Sequence, residues 1–280
     1  MVSIGIIGLG FVGGAAQKSF KINGVNVRVF DKYKDGGIGS IEDIILCDIV
    51  FLCLPTLYND ILKSYDKTAI KEVCNNLEQR KFSGLVVVKS TVEPETTNKL
   101  SIQYPLLRIV HNPEFLTTRT AFEDFHNQDH IVLGKGPNAN EEDMKLLMSF
   151  YKKNYPKAKI STCSAIESES MKIMCNSFYA SKVMLFNEYY LLCEKNGTDF
   201  NTIKELMLKN NWINPMHTLV PGPDSKLCYG GACFPKDTNA LCNYMKSKNS
   251  NCKVLESVIE ERNILRDYNT NIISSNKLNI

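Results

Sequence analysis

The stretch that most restricts the fold lies at the N-terminus. An apolar, β-branched run over 2–7 leads straight into Gly8, Gly10 and Gly13, then into a helical pattern through Ala15, Ala16 and Phe20. A second, alternating run over 25–30 ends at Asp31. Glycines at this spacing between a strand and a helix have separate jobs: Gly8 permits the tight turn, Gly10 lets a pyrophosphate approach the backbone, and Gly13 lets helix and strand pack closely. The helix opening at Phe11 and Val12 presents N–H groups and the positive end of its dipole to that anion. An acid ending the next strand suits ribose hydroxyls and repels a 2′-phosphate, so the pattern predicts NAD rather than NADP, although Lys32 beside it softens that repulsion.

Further apolar runs follow over 49–54, 85–88, 107–110 and 131–133, with a short one over 159–162. They alternate with helical patterns over 60–79 and 140–154. This predicts a doubly wound parallel α/β sheet, a Rossmann-like domain over 1–163. Pro55 and Thr56 close the third strand and Thr91 follows the fourth, at the carboxyl ends where ligands sit in open α/β sheets. Glu114, after Pro113, is at the same mouth, and its position fits a general base or a solvated loop carboxylate equally well. His111 is read as a hydrogen-bonded strand-end residue.

From Ala165 to Asn196 the chain carries one helical pattern without Gly or Pro until Gly197, which reads as its C-cap. Its apolar residues are too many for one stripe, so the helix is buried or packs on another subunit. Lys172 and Asn176 are one turn apart on one face. The lysine either has a chemical role or snorkels along a helix seam. A short helix restarts at Thr198 and Asp199, and the irregular stretch 211–229 delivers the chain to Cys233. Helices near 238–245 and 253–266 complete an all-helical domain over 164–268, with 269–280 as a frayed tail.

Cys233 follows Gly230 and Gly231 and precedes Pro235, Lys236 and Asp237. Glycines let a ligand come close, the proline stiffens the turn that aims the thiol, and the lysine favours the thiolate. This points to a nucleophilic cysteine. The ten cysteines show no CxxC pair and no metal-ligand spacing, and several sit in apolar runs, as small buried thiols in a reducing cytoplasm do. Cys228 and Cys233 are close enough to suggest a redox pair or half a zinc site, but no second ligand pair is in view. A net charge of +3 without a basic, aromatic-interleaved run is too mild to argue for nucleic acid, so none is expected as a partner, and no window reaches the length of a membrane span.

Taken in order, the glycine run, Leu54 to Thr56, Lys89 to Val92, Asn112 to Leu116, the Lys172/Asn176 helix with Asn187 and Glu188, and Gly230 to Asp237 resemble the UDP-glucose/GDP-mannose dehydrogenase family over residues 1–265. The resemblance implies two NAD-dependent oxidations of a nucleotide sugar's C6 hydroxyl, UDP-glucose above all, without release of the aldehyde. It implies Cys233 as nucleophile, Lys172 and Asn176 on the oxyanion, Glu114 and Asp237 moving protons, Thr91 holding the hydrolytic water, and Lys236 on the cofactor side. No metal is implied, and a homodimer through the long helix is. Three departures stand out. Thr118 replaces the family's second glutamate. Trp212 stands where an arginine usually reaches the sugar nucleotide. No counterpart of the family's third, uridine-diphosphate-holding domain is present in these residues. A two-domain 3-hydroxyacid dehydrogenase and a non-catalytic NAD-binding subunit are the competing readings.

Overall fold

In the computed structural model the described residues are 2–276, with side chains through Arg266. The chain divides into two compact units: Met1–Leu57 with Tyr65–Lys172, and Tyr58–Ser64 with the chain from Ile173 onward.

The first unit is built on a seven-stranded sheet. Its strands are β1 (Ile4–Ile7), β2 (Val27–Phe30), β3 (Ile49–Leu52), β6 (Leu85–Val88), β7 (Arg108–His111), β8 (His130–Lys135) and β9 (Lys159–Ser164). The order is β2-β1-β3-β6-β7-β8-β9, parallel from β2 to β7. β8 then runs antiparallel to β7, and β9 parallel to β8. The sheet is thus Rossmann-like and mostly parallel. The helix between β7 and β8 is only Ala121–His126 (α5). At about 9 Å it is too short to carry the chain back along the sheet for a parallel crossover.

Central strands read as unbroken apolar runs because both faces are covered. Phe51 and Val87 face one core, which α1 (Phe11–Ile22), α5 and α6 (Glu141–Asn154) complete through Phe20, Phe125 and Phe150. Val50, Leu52 and Val86 face the other, against α2 (Ile41–Ile44), α3 (Thr68–Gln79) and α4 (Thr96–Gln103). Asn140 and Asp143 start α6 with a reciprocal capping box.

The helix expected over 60–79 begins only at Thr68. Ahead of it, Tyr58–Asn59 (β4) and Ser64–Tyr65 (β5) form a small separate sheet. The Asn59 side chain accepts the Ile61 and Leu62 N–H groups, and Lys63 has φ +53°, so a turn replaces the first helical turns.

The helix α7 runs over Ala165–Asn196 as expected, and Gly197 follows it at φ +64°. In the second unit Phe186 and Cys193 of α7 pack on Phe200 of α8 (Phe200–Leu208), which Asp199 caps. Ala180 and Met184 pack on Tyr229, on Phe234 of α9 (Phe234–Ser247) and on Val258 of α10 (Lys253–Asn276). α10 extends ten residues past Arg266, so most of the expected tail is helical; residues 277–280 lie outside the described residues.

Candidate functional site

The first unit places Gly8, Gly10, Phe11, Val12 and Gly13 at the carboxyl end of β1, beside β3 where the strand order reverses. Gly8 has φ +90°, and a Cβ there would meet the Cys53 carbonyl oxygen at 2.4 Å. A Cβ on Gly13 would lie 1.8 Å from the Gly8 oxygen. A Cβ on Gly10 would meet nothing within 4 Å, so the loop opens to a ligand there. The N-terminus of α1 has no side-chain cap and no acidic residue in its first turn. A cradle of open backbone with free helix N–H groups fits a pyrophosphate.

Asp31 ends β2 as expected, and it also shapes this loop. Its Oδ2 accepts the Leu9 N–H at 2.7 Å, and Oδ1 accepts those of Tyr33 and Lys34 at 3.0 Å. Burial pushes its pKa up, but these N–H donors and the Lys34 ammonium outweigh it and hold the carboxyl below its usual range. Lys34 Nζ donates to the Leu9 carbonyl.

Two more strand ends are stitched together. Ser90 Oγ accepts the Leu54 N–H and donates to the Leu54 carbonyl. Thr56 Oγ1 donates to the Thr91 carbonyl at 2.7 Å. Pro55 is exposed while Thr56 and Thr91 are buried, so the loop after β3 offers its proline to solvent.

Glu114 and Lys172 are brought together: the ammonium lies 3.3 Å from Oε1, both side chains nearly buried, with the Phe115 ring 5.2 Å from Nζ. Glu114 Oε2 accepts the Leu116 N–H. Lys172 is therefore a paired buried cation rather than a snorkelling one, and Glu114 is no solvated carboxylate. Thr118 is exposed at the start of a short 3-10 turn.

The second unit places Cys233 at the N-cap position of α9, half-buried, after Gly231 at φ +77°. Pro235 occupies the first turn, where its missing N–H costs nothing. Asp237 is fully buried one turn on. It accepts from Asn176 Nδ2 and from Lys236 Nζ, each at 2.6 Å. A thiol at a helix N-terminus has the positive end of the dipole beside it. The approach to it is held by Asn187, whose Oδ1 accepts the Cys228 N–H at 2.9 Å. Arg266 ties Asp224 to the Cys228 carbonyl. Trp212 is 90% exposed.

His111 is the hydrogen-bonded strand-end residue expected of it, whereas the buried surroundings of Lys89 and Glu169 carry no local signal in the sequence. Lys89 donates to the Asn112 carbonyl and Oδ1, and Tyr151 donates to the same Oδ1, while Asn112 Nδ2 donates to Val132. Burial lowers the Lys89 pKa to about 8, with the Lys172 charge adding to it. His111 is likewise pushed to about 3 by burial and by Lys89, so it is neutral; its Nδ1 is 2.8 Å from Ser168 Oγ. Glu169 accepts the Thr97 N–H and Oγ1 at the start of α4, and burial raises it to about 7.

A doubly wound sheet with a glycine cradle at its reversal point, followed by a helical unit, has the build of the nicotinamide-dinucleotide dehydrogenase class. Residues 38–154 match the model of the UDP-glucose/GDP-mannose dehydrogenase family's NAD binding domain, and 166–263 match its central domain. The chain belongs to that family, and NAD is the cofactor its first domain takes. It is similar to a UDP-glucose 6-dehydrogenase of Rickettsia prowazekii, 36% identical over 79% of this chain and 50% of that one. A UDP-glucose dehydrogenase structure from Pyrobaculum islandicum superposes with TM-score 0.82 at 25% identity, over 94% of this chain and 68% of that one. A 3-hydroxyisobutyrate dehydrogenase from Mycobacterium tuberculosis shares the fold, with TM-score 0.74 at 17% identity over 93% and 92% of the two chains. The chain spans about half the length of the curated relatives it matches. No described helix is long and apolar enough to cross a membrane.

Proposed function

We propose that the chain oxidises the C6 hydroxyl of a nucleotide sugar, UDP-glucose to UDP-glucuronate, with Cys233 as the covalent nucleophile. The observation that carries this reading is the thiol at the N-cap of α9, with buried Asp237 gripped by Asn176 and Lys236. Gly8, Gly10, Phe11, Val12, Gly13, Asp31, Pro55 and Thr56 would hold NAD, and two NAD molecules in succession would supply the hydride acceptor, one for each oxidation. Cys233 adds to the C6 aldehyde and gives a thiohemiacetal, which a second oxidation converts to a thioester. Water then releases the carboxylate and restores the thiol. The aldehyde stays covalently held throughout, which is why one site can run both steps.

Lys172 and Asn176 donate to the developing oxyanion. Glu114, paired with Lys172, takes the alcohol proton, and Thr91 helps hold the hydrolytic water. Asp237 relays protons near the thiol, and Lys236 keeps that region positive on the cofactor side. With Thr118 exposed, Glu114 acts without a second glutamate. We assign a homodimer to the exposed apolar stripe of α7, formed by Met174, Phe178, Leu185, Tyr189 and Leu192. Its spacing of three, four and seven residues keeps it on one face. A reducing compartment such as the cytoplasm suits a cysteine kept as a thiol.

The test is the yield of NADH from UDP-glucose by the purified chain. About two NADH per sugar, lost in Cys233→Ala, is the expected result. A ratio near one, or activity surviving that substitution, would refute the covalent route. NAD binding without turnover of any nucleotide sugar would make the chain a cofactor-binding subunit.

A further inference from the structure

A second pair of thiols lies away from Cys233, at the turn between α9 and α10. Cys242, buried on α9, and Cys252, half-exposed just before α10, have their sulfurs and a Glu256 carboxylate oxygen within 4.8 Å of one another. The two thiols hydrogen-bond to each other. Forming a disulfide would close that separation to ~2 Å.

The surroundings distinguish a redox pair from a metal site. Lys246 Nζ is 2.8 Å from Glu256 Oε1, and Lys253 Nζ is 3.0 Å from Oε2. Both carboxylate oxygens are thus occupied by ammonium groups, and a divalent cation would meet two positive charges. The same charges attract an anionic oxidant. Cys252 is itself half-exposed, which lets a small molecule reach it, and it borders an apolar cleft of about 620 Å³ lined also by Leu241, Met245 and by Met174 and Phe178 of the α7 stripe.

We propose that Cys242 and Cys252 form a reversible disulfide with an anionic low-molecular-weight disulfide of the glutathione type as oxidant. The Cys252 thiolate attacks one sulfur of that disulfide, forming a mixed disulfide and expelling one small thiolate. Cys242, giving its proton to that thiolate, attacks the Cys252 sulfur and expels the second. Two protein thiols are oxidised by two electrons, and one small disulfide is reduced to two thiols. Burial holds the Cys242 thiol up at about 11, so Cys242 attacks second, as it gives up its proton. The product joins α9, at Cys242, to the start of α10.

The test is incubation of the native chain in glutathione redox mixtures, acid quenching, alkylation and peptide mapping by mass. The expected product is a linkage of 242 to 252, about 2 Da lighter than the dithiol and reversed by excess reduced glutathione. Cys252→Ser, at the half-exposed position, should abolish it. Cys242→Ser should leave a glutathione adduct on Cys252. Both thiols still alkylated where Cys233 is already oxidised would overturn the proposal. So would pairing with any other cysteine, or cobalt(II) bound by the reduced pair with thiolate-to-metal absorbance.

Discussion

Replacing Glu169 by Gln should change how the stability of the first unit depends on pH. Glu169 is fully buried, and its carboxyl accepts two hydrogen bonds from Thr97. Burial raises its pKa from 4.5 to about 7 against those bonds. Between these values the folded chain holds a proton that the unfolded chain has released, so stability falls as pH rises from about 4.5 through about 7 and then levels off. The gap corresponds to about 3 kcal/mol, fully lost by about pH 8. Gln keeps an oxygen for Thr97 and cannot ionise, so the variant lacks this slope. Its stability relative to wild type should therefore climb with pH, whatever constant cost the buried amide adds. Urea titrations of both proteins at about pH 5, 6, 7 and 8 measure the difference directly. A difference constant to within about 0.5 kcal/mol across that range would refute the argument, because Glu169 would then ionise alike in both states.

Gly13→Ala forces a Cβ into the Gly8 oxygen, which it would approach at 1.8 Å; NADH titration by fluorescence should show affinity reduced at least about 100-fold. Asn187→Leu strands the Cys228 N–H and should cost about 1–3 kcal/mol, with faster proteolysis around 219–232. Lys89→Met removes a cation whose pKa is lowered from 10.5 to about 8. The unfolded chain keeps that proton to higher pH, so wild-type stability rises between about 8 and 10.5, and the variant should lose the rise while losing stability overall.

The sheet was readable because strands buried on both faces leave plain apolar runs, and α7 because nothing interrupts it. The glycine cradle and the Cys233 turn were readable because each needs particular residue types in a fixed order. The stretch 60–67 misled because its composition suits a helix. What prevents one is the Asn59 side chain taking two backbone donors and a left-handed Lys63. The short helices α4 and α5 have too few turns to leave a periodic signal. Nothing local announces that Glu114 pairs with Lys172 across 58 positions, or that Glu169 is driven toward neutrality. Those properties come from desolvation, which depends on what else packs there.

The knot of Lys89, Asn112 and Tyr151 joins β6, β7 and α6 through groups that all lie out of water. Each member is tolerable only while the others are present, because any one left alone is a buried orphan. Their substitution effects should be strongly non-additive. For the lineage this makes the trio an evolutionary ratchet. Single replacements should each be costly, and a descendant sequence would leave this arrangement most readily by exchanging the partners together.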